Sequence, residues 1–139
     1  MPYIIGGIVV LLVGSSLFLL VVTLKRRGVF KSTNRQLDLA IVGLTHQIRR
    51  NPKDAQAHVK RGIVRSRKGD LKGAMDDLAR SLSLDPTSVE AHYHCALVGE
   101  RLGNRKLARK EFEWIRQNSE DPFYKTAVAN RLTKLKAAR

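Results

Sequence analysis

The sequence predicts an all-α protein, with an N-terminal transmembrane helix, a short α-solenoid of helical hairpins and a C-terminal capping helix. Three observations carry this. The stretch from Ala55 to Glu120 repeats itself at a fixed offset: Ala57 falls on Ala91, His58 on His92, Gly69 on Gly103, Ala74 on Ala108 and Leu78 on Phe112. A fixed period of this length marks helix-turn-helix units that bury their apolar faces only by stacking on one another. Ahead of it, Leu37, Ala40, Ile41, Leu44 and Ile48 stand at helical spacing. Earlier still, the whole run from Tyr3 to Leu24 is without a charge.

As a helix that run spans roughly 33 Å at about 1.5 Å per residue, enough to cross the hydrocarbon core of a bilayer. A cleaved signal peptide would carry basic residues before a shorter apolar stretch and small residues at the cut. Residues 1–24 have neither feature and read as an uncleaved anchor. Lys25, Arg26, Arg27, Lys31 and Arg35 follow, with no acidic residue before Asp38. By the positive-inside rule this basic segment leaves the N-terminus outside and the repeats in the cytoplasm, or on an equivalent face such as the stroma. At the headgroup level each cation gains on the order of 1 kcal/mol from an anionic leaflet.

The linker 25–34 ends in Ser32, Thr33 and Asn34, good residues for starting a helix. The helix predicted over 35–50 is in phase with the repeat, since Ala40 precedes Ala74, and Pro52 precedes Pro86, by the same offset. Residues 35–52 therefore read as a half-repeat that caps the stack. The repeat 55–88 holds helices over 55–68 and 71–83 with Gly69-Asp70 as the turn. The repeat 89–122 holds helices over 89–102 and 105–117 with Gly103-Asn104 as the turn, and Thr87 and Glu90 stand at capping-box spacing before it. A helix over 123–137 closes the array, with Ala127, Val128, Leu132 and Leu135 on one side and Lys125, Arg131, Lys134 and Lys136 on the other.

These units resemble the tetratricopeptide repeat family, whose signature runs W-x2-L-G-x2-Y, then A-x3-F, then P. Gly62, Ala74, Leu78 and Pro86 match it in the first unit; Ala96, Ala108 and Phe112 match it in the second, with Pro122 two residues late. His58 and His92 stand in the Trp slot, Arg61 and Cys95 in the Leu slot, and Arg65 and Gly99 in the Tyr slot. The resemblance implies a concave groove, lined by the first helix of each unit, that receives a segment of a partner protein. Carried over by repeat phase, its lining is Gln56, Val59, Ile63, Ser66 and Arg67 from one unit, and Glu90, Tyr93, Leu97, Glu100 and Arg101 from the next. Val59 and Ile63 occupy two places where some members carry the Lys and Asn that clamp a C-terminal carboxylate.

The formal net charge of +14 points to acidic partners, namely anionic lipid, acidic protein or nucleic acid. Nucleic acid is the weaker of these, because no aromatics interleave with the basic run Lys60, Arg61, Arg65, Arg67 and Lys68, whose plainest reading is solvated charge. A single Cys makes no internal disulfide. His92, His94 and Cys95 are metal-ligand types, but residues two apart on a helix point to different sides, so packing is the better reading for His92 and Cys95 and no metal is expected. Asp76-Asp77 and Glu111-Glu113 read as surface charge, paired four apart as Lys72 with Asp76, Asp76 with Arg80, and Arg109 with Glu113. No nucleophile motif, phosphate loop or dinucleotide fingerprint is present, so neither catalysis nor a cofactor is expected. The expected function is a non-enzymatic, membrane-anchored interaction module that recruits or helps to assemble membrane protein complexes. The alternative is a basic surface that tethers anionic lipid or nucleic acid.

Overall fold

The computed structural model describes residues 34–137, six α-helices in sequence: α1 over 34–50, α2 Ala55–Lys68, α3 Leu71–Leu84, α4 Val89–Arg101, α5 Arg105–Asn118 and α6 Pro122–Ala137. The chain divides into two units, Met1–Gln36 and Leu37–Arg139, and the helical array belongs to the second. The predicted anchor 1–24 and nearly all of the linker 25–34 lie outside the described residues. Among the described residues no helix is long and apolar enough to cross a membrane.

Each start of a helix in the two central units is fixed by a side-chain cap, and the caps themselves recur at the repeat period. Asp54 accepts from the Ala57 amide at 2.9 Å and its equivalent Ser88 from the Ala91 amide at 3.3 Å; Asp70 accepts from Gly73 at 2.9 Å and its equivalent Asn104 from Leu107 at 3.1 Å. Each cap satisfies one of the amides that a helix start leaves without a partner. The cap of α4 is therefore Ser88, not the Thr87 suggested by the capping-box spacing. The Thr87 hydroxyl donates to Asp85 at 2.8 Å instead. Both hairpin turns close on a left-handed glycine, Gly69 at φ 97° and Gly103 at φ 74°, a conformation in which a Cβ would be strained.

Two apolar clusters sit on opposite sides of α4. Val59, Ala74 and Leu78 meet Ala91, Cys95 and Val98 in one; Ala96, Ala108, Phe112 and Ile115 meet Val128, Leu132 and Leu135 of α6 in the other. Being sandwiched between the two explains why α4 is buried on so much of its circumference. Gly62 allows the close contact of α2 with α3, since a Cβ there would stand 3.0 Å from Leu78 Cγ and 3.2 Å from the Ala74 carbonyl oxygen. Gly62→Val is expected to cost about 1–3 kcal/mol as overpacking, read as a lower urea midpoint with an unchanged slope.

α1 is less well covered. Leu37, Ile41, Leu44 and Ile48 are half-buried, but Ala40, expected inside from its equivalence to Ala74, is exposed. Ala74 is covered by α2, and among the described residues no helix precedes α1 to do the same for Ala40. Leu39 and Val42 are likewise exposed, at 65% and 66%.

Candidate functional site

The polar interior was the least legible part of the sequence, and it sets the rigidity of the array. Asp77, read as surface charge, is only 3% exposed. It accepts from Arg61 Nε at 2.9 Å and Nη2 at 2.6 Å, and from Arg65 Nη1 at 2.9 Å. Arg61 also donates to the Thr45 hydroxyl at 3.2 Å, so one guanidinium ties α1, α2 and α3 together. Two of the five cations read as solvated are thus structural, and a third, Lys68, pairs with Asp38.

The second unit solves the same problem differently. At the equivalent positions Arg61 and Arg65 are replaced by Cys95 and Gly99, and Asp77 by Glu111, which is 6% exposed. The longer glutamate reaches His92 Nδ1 at 2.6 Å, whereas Asp77 stays 3.7 Å from His58 Nδ1. In both units the other ring nitrogen faces the carbonyl of the proline six residues earlier: His58 Nε2 to Pro52 at 3.3 Å, His92 Nε2 to Pro86 at 3.0 Å. His92 also stacks on Trp114 with ring centroids 3.6 Å apart. His92 therefore binds the turn ahead of it to the second helix of its unit, whereas His58 holds only the turn and its buried Nδ1 has no hydrogen-bond partner. Cys95 packs with its Sγ 3.6 Å from Met75 Sδ, and burial, with Glu111 adding to it, pushes its thiol up to about 11. Glu113 pairs with Arg116 at 2.6 Å rather than with Arg109.

The side chains left over from this packing converge on a cavity of about 620 Å³ between α2, α4 and α6. From α2 it is lined by Ile63, Ser66 and Arg67; from α4 by His94, Leu97, Glu100 and Arg101; from α6 by Arg131. Arg101 Nη1 donates to the Ser66 carbonyl at 2.5 Å, which also accepts from the Gly69 amide, and to the Ser66 hydroxyl at 2.8 Å. Arg131, expected on the polar outer side of α6, donates to Glu100 at 2.8 Å across the cavity. Burial holds the His94 imidazole below its ordinary value; Glu90 pulls it the other way and Arg67 adds to the lowering.

Of the ten residues expected to line a groove, Ile63, Ser66, Arg67, Leu97, Glu100 and Arg101 border this cavity. Val59 does not, because it is wholly enclosed in the core between α2, α3 and α4. Gln56 and Glu90 lie nearer the helix starts and bond to each other at 2.9 Å. Tyr93 lies there too, half-buried, with its ring 5.4 Å from Tyr124 and 6.5 Å from Phe123. Of the expected membrane-proximal cations, Arg35 is exposed on α1, while Lys25, Arg26, Arg27 and Lys31 lie outside the described residues. His94, Phe123, Tyr124 and Arg131 are the additions, and the last three lie on the closing helix, outside the repeat phase that placed the others.

No protein-family profile matches the chain. No curated protein sequence matches it either. Solved structures do. The first tetratricopeptide domain of Spaghetti (RPAP3), bound to an HSP90 peptide, is 19% identical over 74% of this chain and 79% of that one, with a TM-score of 0.69. The type III secretion chaperone SycD of Yersinia enterocolitica, in complex with a peptide of the translocator YopD, is 16% identical over 74% and 82%, with a TM-score of 0.69. The TPR2B domain of yeast Sti1, in a complex with Hsp70, is 18% identical over 77% and 88%, with a TM-score of 0.70. At these identities the likeness speaks to architecture, and the described helices of this chain form a tetratricopeptide-like α-solenoid.

Proposed function

We propose that this chain is a non-enzymatic interaction module. In this reading residues 1–24 anchor it in a membrane, 25–34 form a basic juxtamembrane linker, and 35–139 form a repeat domain on the cytoplasmic or stromal side that recruits or helps to assemble membrane protein complexes. The observation that carries it is the cavity between α2, α4 and α6, where Ile63 and Leu97 supply an apolar floor among the guanidinium groups of Arg67, Arg101 and Arg131. Such a surface suits a polypeptide segment with apolar and acidic side chains. The peptide complexes of the Spaghetti domain and of SycD, and the Hsp70 complex of the Sti1 domain, support it by analogy of fold. The uncharged run from Tyr3 to Leu24 supports the anchor, which would raise the effective concentration of membrane-bound partners at a weak groove.

A second reading takes the outer face of α5, where Arg105, Lys106, Arg109 and Lys110 gather beside Glu113, as a platform for anionic lipid or nucleic acid. One experiment separates the two. A photo-crosslinking residue is placed at position 67, in the groove, or at 109, on the outer face, of the full-length protein in its native membranes. Discrete protein adducts from 67 are expected, with few from 109. Adducts from 109 alone, to lipid or nucleic acid, would reverse the assignment.

A further inference from the structure

The two ends of the inner face differ in chemistry. Toward the helix starts stand three aromatic rings in edge-to-face contact: Tyr93 with Tyr124 at 5.4 Å, Tyr93 with Phe123 at 6.5 Å, and Phe123 with Tyr124 at 5.2 Å. Phe123 is 66% exposed, so most of its ring is open to a ligand. The carboxylates beside these rings are Glu90, held by Gln56, and Asp121, which caps the Phe123 amide at 2.8 Å. Burial raises the Tyr124 phenol, and Glu90 and Asp121 add to that rise, so both carboxylates act on this ring. The neighbouring Glu120 is already paired with Lys125 at 2.6 Å. Toward the helix ends the sign reverses, with Arg67, Arg101 and Arg131 set against Glu100 alone.

A cation is attracted both by the faces of aromatic rings and by carboxylates at their edge, whereas an acidic side chain is repelled by both. The reverse holds at the arginine end. From Tyr93 to Arg101 along α4 the rise is about 12 Å at roughly 1.5 Å per residue. An extended chain covers that in about four residues at roughly 3.3 Å each. We infer that the groove takes an extended segment of mixed charge, with a Lys or Arg side chain seated on Tyr93, Phe123 and Tyr124 beside Glu90, and an Asp or Glu about four residues away at Arg67. Ile63 and Leu97 face an apolar side chain next to the acidic one. The like-signed pairs of each end then exclude uniformly acidic or uniformly basic segments, which is selection by repulsion as much as by attraction.

This inference rests on the groove being the binding surface, and the test keeps the two apart. The full-length protein is used to select from a random dodecapeptide library, and the selected peptides are synthesised and titrated against wild type, Phe123→Ala, Glu90→Gln and Arg67→Glu. Enriched peptides should pair a basic with an acidic residue about four positions apart. Phe123→Ala and Glu90→Gln should each weaken binding about tenfold, and replacing the peptide's Lys or Arg with norleucine should erase the difference between wild type and Phe123→Ala. Uniformly acidic winners that are sensitive to Arg67→Glu but indifferent to Phe123→Ala would overturn the mixed-charge assignment and leave the groove standing. Absence of enrichment, or winners indifferent to all three substitutions, would remove the groove itself.

Discussion

Asp77→Ala is expected to lower the free energy of unfolding by about 3–5 kcal/mol, enough to leave much of the repeat domain unfolded at physiological temperature. The carboxylate is the shared acceptor for two guanidinium groups whose side chains are only 13% and 25% exposed. Its removal leaves Arg61 buried without a counter-charge, and Arg61 cannot turn outward without giving up its bond to Thr45. Arg65 retains the Gly73 carbonyl at 3.2 Å and can shift outward, so most of the cost falls on Arg61. Urea unfolding followed by circular dichroism reads the loss directly. Replacing Asp77, Arg61 and Arg65 together with apolar residues should recover most of the stability, because it is the orphaned charge and not the missing pair that is costly. A single substitution with no more effect than a surface change would show that water reaches the site.

Phe112→Ala is expected to cost a similar amount, about 3–5 kcal/mol, but to be felt in a different place. Phe112 is wholly enclosed in the cluster that joins α4, α5 and α6, whereas Asp77 holds the earlier hairpin. In a stacked array each element contacts only its neighbours, so a lesion is felt first at the nearest interface. Hydrogen exchange should therefore accelerate most in α6, which packs on α5, and least in α2 and α3. Because α6 carries Phe123, Tyr124 and Arg131, peptide binding should fall before helical content does.

The repeat period exposed the hairpins, both glycine turns and the small residues at the helix contacts, since those positions answer to backbone geometry that every unit shares. It did not expose the electrostatics. Asp77 has Arg80 a turn away and Glu111 follows Arg109 and Lys110, which suggests surface charge, yet their hydrogen-bonding partners lie 12 to 19 residues off on another helix. Repeat phase likewise carried Val59 onto the groove by analogy, although α2 turns it into the core. The aromatic end of the inner face was legible only in part. Tyr93 was placed by phase, but its companions Phe123 and Tyr124 belong to the closing helix, for which the repeat provides no template.

The two buried acids also bear on how such a chain can change length. Every hydrogen-bonding partner of Asp77 lies on α2, just as that of Glu111, His92, lies on α4. Each repeat thus pairs its buried acid internally and meets its neighbour through an apolar cluster and a few bonds at the groove, Gln56 to Glu90 and Arg101 to Ser66. A block one repeat long can in consequence be duplicated or excised in register without stranding Asp77 or Glu111, with shape and the groove-side bonds left to be reconciled at the new seam. Gene-level lengthening of the array would then be limited chiefly by packing at the seam, where apolar swaps that conserve volume are tolerated best.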